Sequence, residues 1–255
     1  MTDRTFAHIE LCGLAASGKS TAAVALCDLL RRRSRPAVTA TDLSRLAAAR
    51  HRGRLARAIL PTSVLRWMTP DMGVPALGRF VANRGTLLSV LAEALSSPDM
   101  SDDDRRAAAT SLFHTATCYQ MAAECLRSDE ILVLEEGFTH RGLTTFGYRV
   151  ANLAPGLVQR YAECIPCPSL VVVMDTPISV CVARIRARTA PPRPYMSALS
   201  DAELADCFSK ACGRLETVVN TLVRRGAHML RARGYGGAGN LQDILSAAVS
   251  AQIKQ

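Results

Sequence analysis

Gly13-Leu14-Ala15-Ala16-Ser17-Gly18-Lys19-Ser20 has the spacing G-x-x-x-x-G-K-[ST], which is typical of a loop that binds phosphate groups. The segment before it, Phe6 to Cys12, predicts a short apolar strand, and Thr21 to Arg33 predicts a helix with apolar side chains on one face. Strand, loop and helix in this order are the context that the motif requires. We therefore predict that the chain binds a nucleotide through its phosphates.

The residues of this loop have distinct predicted roles. Gly13 and Gly18 allow backbone conformations in which successive N–H groups point at one anion, and the helix N-terminus adds partial positive charge. Lys19 is predicted to reach the terminal phosphates and Ser20 to bind Mg²⁺. The predicted nucleotide-binding residues are Gly13, Ala16, Ser17, Gly18, Lys19, Ser20 and Thr21.

Composition places bounds on the class of protein. A chain of 255 residues with 49% hydrophobic content can bury one large core, and we expect one domain over residues 1–255. No apolar run approaches the roughly 18 residues of a membrane span, and nine cysteines are mostly scattered among aliphatic residues. We therefore expect a cytoplasmic protein with no membrane partner. The net charge of +9 suits a site that gathers phosphates, and it leaves a nucleic-acid partner open.

The second predicted strand, Ala37 to Thr41, ends in a carboxylate, Asp42. Open α/β sheets bind ligands at the carboxyl ends of their strands, so Asp42 is a candidate substrate-binding residue. The alternative is that Asp42 caps a helix from Leu43 to Ile59, and the two roles are compatible.

Residues 43–128 predict a long helical insertion with few strand signals, interrupted at several prolines. Ser101-Asp102-Asp103-Asp104 marks the start of a helix that continues to about Leu126. Because this stretch is longer than a simple crossover, we interpret it as an acceptor-binding insertion.

A third strand, Ile131 to Leu134, is followed by two acids, Glu135 and Glu136. Phosphoryl transfer needs an acid near the P-loop, either to organise Mg²⁺ or to accept the proton of an attacking hydroxyl. Strand alternation sends the two side chains to opposite sides, and which one faces the phosphates stays open. Glu136 is our predicted magnesium ligand together with Ser20, and Arg141 is a candidate contact for an anionic acceptor. A helix-start role for the acid pair is the alternative.

The fourth predicted strand, Ser169 to Met174, leads into a helix from Val180 to Arg188. Arg184 and Arg188 lie four apart and would share one helical face. The proline-rich stretch after them suits a mobile flap, so we predict a lid over residues 184–200 whose arginines neutralise charge on the transferring phosphoryl group. An exposed basic helix end is the competing interpretation.

The remaining chain predicts a long helix, a strand and a glycine-rich loop. Ser200-Asp201-Ala202-Glu203 is a capping box for a helix to about Arg225, and Ala227 to Arg231 predicts the fifth strand. A glycine-rich loop, residues 233–240, and a last amphipathic helix follow. The pair Cys164 and Cys167, even with Cys207 and Cys212, lacks the spacing of the usual zinc sites.

Three features together resemble the nucleoside and nucleotide kinase family of P-loop proteins: the P-loop, the acid pair, and Arg184-Ile185-Arg186-Ala187-Arg188 after Asp175-Thr176-Pro177. The last is similar to the segment that leads into the lid of thymidylate-kinase-like members. Glu136-Gly137-Phe138 resembles the Asp-Gly-Phe of adenylate kinases, and in deoxynucleoside kinases a Glu at this strand end is the base.

This resemblance implies an α/β three-layer P-loop fold with a five-stranded parallel sheet in the order 2-3-1-4-5. It also implies that Arg184 and Arg188 are lid arginines and that the glycine-rich loop lies near the adenine. No acceptor-binding motif of the family occurs between residues 43 and 128, so the acceptor stays open. The guanine-binding Asn-Lys-x-Asp and the transporter Leu-Ser-Gly-Gly-Gln are missing from the sequence.

The sequence thus predicts a kinase that transfers the γ-phosphoryl group of ATP, with Mg²⁺, to a nucleoside, a nucleotide, or a sugar or antibiotic hydroxyl. The catalytic residues predicted are Lys19, Glu135, Glu136, Arg184 and Arg188. The alternatives are a kinase acting on an RNA or DNA end and a non-catalytic nucleotide-binding switch. A homodimer is compatible with each of them.

Overall fold

The architecture was obtained from a computed structural model, which describes residues 6–43, 46, 70–146, 148, 153–189 and 195–233. Most of the helix predicted from Leu43 to Ile59 therefore lies outside the described residues, as do 190–194 of the predicted lid. The glycine-rich loop beyond Arg233 and the last predicted helix also lie outside them.

Five parallel strands form one sheet in the order β2-β3-β1-β4-β5, which confirms the predicted topology. The strands are β1 Ala7–Cys12, β2 Ala37–Thr39, β3 Ile131–Leu134, β4 Leu170–Met174 and β5 His228–Ala232. β2 is shorter than predicted because residues 40–43 are helical, with Thr39 at the start of that helical turn. β1 lies in the middle of the sheet, so the P-loop leaves it at the centre of the carboxyl edge.

The described helices are α1 Lys19–Arg32, α2 Pro70–Ala82, α3 Gly85–Leu95, α4 Asp102–Cys125, α5 Phe138–Thr145, α6 Leu157–Cys164, α7 Ile178–Arg186, α8 Tyr195–Ala198 and α9 Asp201–Arg224. Two of them start at the predicted caps. Ser101 accepts a hydrogen bond from the Asp104 N–H at 3.2 Å, and Ser200 forms a capping box with Glu203. α7, however, ends at Arg186, so the prediction that Arg188 belongs to this helix was wrong.

Strand alternation divides β1 between the two faces of the sheet. Ile9 and Leu11 pack against α1, whereas Glu10 and Cys12 face the opposite layer, which contains α5 and α9. Helices on both faces give the three-layer arrangement that the sequence predicted. Within the described ranges, no helix combines the length and the apolar character needed to cross a membrane.

The helical stretch predicted as an acceptor-binding insertion has two structural parts. α4 packs on the sheet, where Ala122 and Leu126 lie against Val38 and Leu132 of β2 and β3. α2 packs on α4, and α3 packs on α6. Among the described helices of this stretch, α4 is therefore the one that packs on β2 and β3.

Candidate active site

The phosphate-binding loop, residues 13–18, has the conformation that its glycines predicted. Gly13 and Gly18 have φ angles of +145° and +96°, in the region that favours glycine. A side chain at Gly13 would meet Ser17 Oγ at 2.9 Å and Met174 at 3.0 Å. The Ser17 N–H donates to the Leu14 carbonyl at 3.2 Å and closes the loop on itself. The loop is thus set mainly by its own backbone.

Lys19 lies across this loop. Its Nζ donates to the carbonyl oxygens of Gly13 and Leu14 at 3.3 and 2.9 Å, and the residue is only 6% exposed. Burial lowers the pKa of the amine below its ordinary value of 10.5, an effect opposed by Glu136 first, then by Cys12 and Glu135. Lys19 therefore lies across the loop that was predicted to bind phosphate, with both acids of the pair near it.

Glu135 is the acid that contacts the P-loop hydroxyl. Ser20 donates a short hydrogen bond from Oγ to Glu135 Oε1. The carboxylate beside Ser20 therefore belongs to Glu135 and not to Glu136, whose magnesium role stays a prediction. A hydroxyl and a carboxylate are hard oxygen ligands, the kind that suits Mg²⁺. Among the described residues, no group of three or more His, Cys, Asp or Glu side chains could hold a metal ion.

Glu136 turns toward α5 instead. It accepts a hydrogen bond from Arg141 at 2.9 Å, and His140 Nε2 lies 3.4 Å from its other oxygen. Arg141 also donates from Nε to Thr115 Oγ1 at 3.0 Å, so its guanidinium is fixed from two sides. The Glu136 side chain is 39% exposed although Arg141 is only 12% exposed. Glu136 is thus an oriented carboxylate that is open to a ligand, and the anion-binding role of Arg141 stays a prediction.

Glu10 was missed in the sequence, and it is fully buried. Its carboxylate accepts hydrogen bonds from the N–H groups of Phe138 and Thr139, at 3.0 and 2.7 Å, and from the Thr139 hydroxyl at 2.5 Å. These N–H groups belong to the first turn of α5. The available signal was a charged residue among apolar ones in a strand, Ile9-Glu10-Leu11, next to the P-loop.

The predicted lid arginines differ in position. Arg184 donates from a guanidinium nitrogen to the Ala16 carbonyl at 3.2 Å, which places it over the P-loop. Arg188 is exposed and follows the end of α7, so its catalytic role stays a prediction. Arg186 was missed: it donates to Asp201 Oδ1 at 2.8 Å, to the Met196 carbonyl at 2.9 Å and to the Leu199 carbonyl. Arg186 therefore ties α7 to α8 and to the start of α9.

Asp42 has helix-cap contacts. Its Oδ2 accepts from the Thr39 hydroxyl at 2.9 Å and from the Thr39 N–H at 3.2 Å, and the Asp42 N–H donates back to Thr39 Oγ1 at 3.2 Å. Arg31 also lies 3.3 Å from the same oxygen. Thr39 therefore caps this helical turn, which begins at residue 40, and Asp42 lies inside its first turn. The alternative that Asp42 caps a helix from Leu43 was wrong, and the substrate-binding role of Asp42 stays a prediction.

The pair Cys164 and Cys167 consists of free thiols. Burial raises the pKa of both, so both stay protonated near neutral pH. The Cys167 thiol lies 3.8 Å from the Leu222 and Arg225 carbonyl oxygens, beside the end of α9. These contacts are structural and lie within the packing of α9.

The chain was compared with known protein families, curated sequences and solved structures. No protein-family model matches the chain, and no curated protein sequence matches it. Among solved structures, the chain is similar to shikimate kinase from Bacteroides thetaiotaomicron, with 12% sequence identity and a TM-score of 0.42 over 97% of this chain and 99% of that chain. Similarity at this level does not extend to activity or substrate.

The strand order and the conformation of the P-loop are sufficient to assign the fold without the structural neighbour. The fold is the three-layer P-loop fold. In it, Lys19, Ser20 and Glu135 lie at the P-loop, and Glu136 lies beside them with its carboxylate turned to α5.

Proposed function

We propose that this chain is an ATP-dependent phosphotransferase that moves the γ-phosphoryl group of Mg·ATP to a small-molecule acceptor. The observation that carries the proposal is the contact of Ser20 with Glu135 beside the buried Lys19 amine. A P-loop lysine, a metal-binding hydroxyl and a carboxylate in one place are the parts that phosphoryl transfer needs.

On the nucleotide side, the loop amides and Lys19 would bind the phosphates, and Ser20 and Glu135 would hold Mg²⁺. Mg²⁺, when bound, supplies positive charge against the phosphate oxygens. The lysine would exchange its bonds to the Gly13 and Leu14 carbonyls for bonds to phosphate oxygens. Arg184, which already contacts the loop at Ala16, would neutralise charge as it develops during transfer.

On the acceptor side, Glu136 would act as general base. The acceptor oxygen attacks the γ-phosphorus, the bond between that phosphorus and the leaving oxygen of ADP breaks, and the hydroxyl proton goes to the Glu136 carboxylate. Arg141 and His140 hold this carboxylate in one orientation while leaving it partly exposed. The acceptor would therefore enter between Glu136 and the P-loop.

The proposal is tested by incubating the purified chain with Mg·ATP and panels of nucleosides, nucleotides, sugars and aminoglycosides, and by measuring ADP release. We expect ADP release with one acceptor class and a much slower release from Lys19→Ala. Release only with RNA or DNA ends, with binding that weakens steeply as salt rises, would identify the nucleic-acid-end kinase instead. Tight nucleotide binding without transfer to any acceptor would contradict the proposal and indicate a non-catalytic switch.

A further inference from the structure

We propose that Glu10 is a positioning residue that fixes the acid pair Glu135 and Glu136 by holding the first turn of α5. The inference rests on the proposed function, because it assigns Glu10 a role in presenting those acids. We call Glu10 together with residues 135–141 the α5 corner. Glu10 is in register with Leu134, the last residue of β3, so it lies level with the point where the acids leave the sheet.

The contacts of Glu10 are unusual for a strand side chain. Both of its oxygens accept hydrogen bonds from α5, two from N–H groups of the first turn and one from the Thr139 hydroxyl. The first N–H groups of a helix have no partner within the helix and carry partial positive charge. A buried carboxylate is costly unless its oxygens are paired. Here the Glu10 carboxylate and the first N–H groups of α5 pair with each other. The position of the start of α5 therefore depends on a side chain of the central strand.

Gly137 makes this arrangement specific. A Cβ on Gly137 would lie 2.3 Å from Glu10 Cδ, which is too close for any side chain. Gly137 has φ of −76°, so the contact and not the backbone conformation requires glycine. Because three hydrogen bonds hold the Glu10 carboxylate, it cannot swing away to make room. The segment between the acids and α5 therefore passes directly over Glu10.

The first turn of α5 is also fixed from the opposite side. Tyr161 donates from its hydroxyl to the Phe138 carbonyl at 2.8 Å, and the Phe138 ring stacks on Phe80 with ring centroids 5.5 Å apart. The same helix carries Arg141, which binds Glu136. A shift at the start of α5 would thus move both acids and the guanidinium that orients one of them.

The first experiment substitutes Glu10→Gln, which keeps the size and one acceptor oxygen but places an amide donor against the donors of α5. Nucleotide affinity is measured by calorimetry with and without Mg²⁺. Without Mg²⁺, the affinity should equal that of the wild type because the P-loop backbone is unchanged. The factor by which Mg²⁺ increases nucleotide affinity should fall about tenfold in Glu10→Gln, and kcat should also fall about tenfold. Losses of this size are typical of residues that orient a metal ligand without touching the metal. Because Mg·ATP is then bound more weakly, KM for Mg·ATP should rise as well.

A matched control separates positioning from loss of stability. Leu30→Ala removes a buried side chain near the far end of α1, where Leu30 is 1% exposed. It should lower the melting temperature at least as much as Glu10→Gln and leave the Mg²⁺ response intact. An equal loss of the Mg²⁺ response in both variants would overturn the role of Glu10, because general loosening would then explain it.

A second pair of variants tests the same contact from α5. Gly137→Ala should reproduce the loss, since its methyl group and the Glu10 carboxylate cannot both keep their positions. Glu10→Ala removes that carboxylate, so Gly137→Ala should cause no further loss in its presence. Fully additive losses would overturn the inference, and Gly137→Ala alone decides it if the Glu10 variants do not fold.

The outcomes distinguish this inference from the proposed function. If Mg²⁺ does not change the nucleotide affinity of the wild type, the proposed function is contradicted, and the role of Glu10 that depends on it is contradicted as well. A wild type that responds to Mg²⁺, with Glu10→Gln and Gly137→Ala responding equally well, contradicts only the inference about Glu10.

Discussion

The P-loop and the α5 corner form two sides of the same candidate site and are held in different ways. Residues 13–18 close within themselves, through the hydrogen bond from Ser17 to Leu14 and two glycines with positive φ. The α5 corner is held by side chains distant in sequence: Glu10 contacts residues 128 and 129 positions away, and Tyr161 contacts Phe138 from 23 positions away. The conformation of the P-loop is thus a local property of the chain, whereas the positions of the two acids depend on the completed fold.

This difference implies different sensitivities to substitution. In a loop built from main-chain groups, most side chains are replaceable, and the exceptions are the glycines and Lys19. In the α5 corner, each buried polar atom that loses its partner leaves another one unpaired, which costs about 1–3 kcal/mol. If substitutions in the P-loop and in the α5 corner had the same effects, this difference in sensitivity would not exist.

The largest effect is expected for Lys19→Ala. It removes the charge at the transferring phosphoryl group, so kcat/KM should fall about a thousandfold. Steady-state kinetics with Mg·ATP and the acceptor from the panel measure it. Lys210→Ala, which removes an exposed lysine paired with Asp206, is the matched control and should be silent. Near-normal turnover of Lys19→Ala would contradict the mechanism.

The two acids should respond differently when each is replaced by its amide. Glu136→Gln should lower kcat about a hundredfold at saturating Mg²⁺, because it removes the base. Glu135→Gln should chiefly raise the Mg²⁺ concentration needed for half-maximal rate, about tenfold, because its carboxylate faces Ser20. Magnesium titrations of both variants make the comparison. Identical magnesium titration curves for the two variants would show that Glu135 and Glu136 do not have separate roles in metal binding and proton transfer.

The same division explains what the sequence could predict. The strands and the P-loop follow from short motifs and apolar runs, and the strand order was implied by the family resemblance. The structure confirms the strands and their order. The distinction between Glu135 and Glu136 could not be predicted, because both follow β3 and only the contacts with Ser20 and Arg141 separate them. Glu10 and Arg186 were missed for the same reason: their partners lie far along the chain or on carbonyl groups that carry no sequence signal.

A smaller effect is expected at Arg184, the guanidinium that reaches the P-loop from α7. Arg184→Ala should lower kcat about tenfold with nucleotide affinity nearly unchanged, since the group acts on charge that develops during transfer. Arg186→Ala is the comparison, because it unties α7 from α8 and should lower the melting temperature by a few degrees. Binding and rate measurements on both variants separate the roles. If Arg184→Ala lowered only the nucleotide affinity and left kcat unchanged, Arg184 would contribute to nucleotide binding and not to charge neutralisation during transfer.

The smallest effect is expected in the pH dependence of the free energy of unfolding, which reports on the burial of the Lys19 amine. Because burial lowers the pKa of this amine below 10.5, the folded chain releases its proton at a lower pH than the unfolded chain does. Between the two pKa values the unfolded chain binds more protons, so the free energy of unfolding rises with pH across that interval. Lys19→Met lacks this contribution.

Urea denaturation of the wild type and Lys19→Met over a series of pH values measures the difference between them. The wild type should gain stability relative to Lys19→Met as the pH approaches 10.5, whatever the offset between the two chains near neutral pH. Nucleotide phosphates should reduce this gain, because an anion beside the amine favours its charged form. Parallel curves for the two chains would show that the amine is as well solvated in the folded chain as in the unfolded one. The P-loop would then present its lysine to solvent, and the contrast with the buried α5 corner would have to rest on the acids alone.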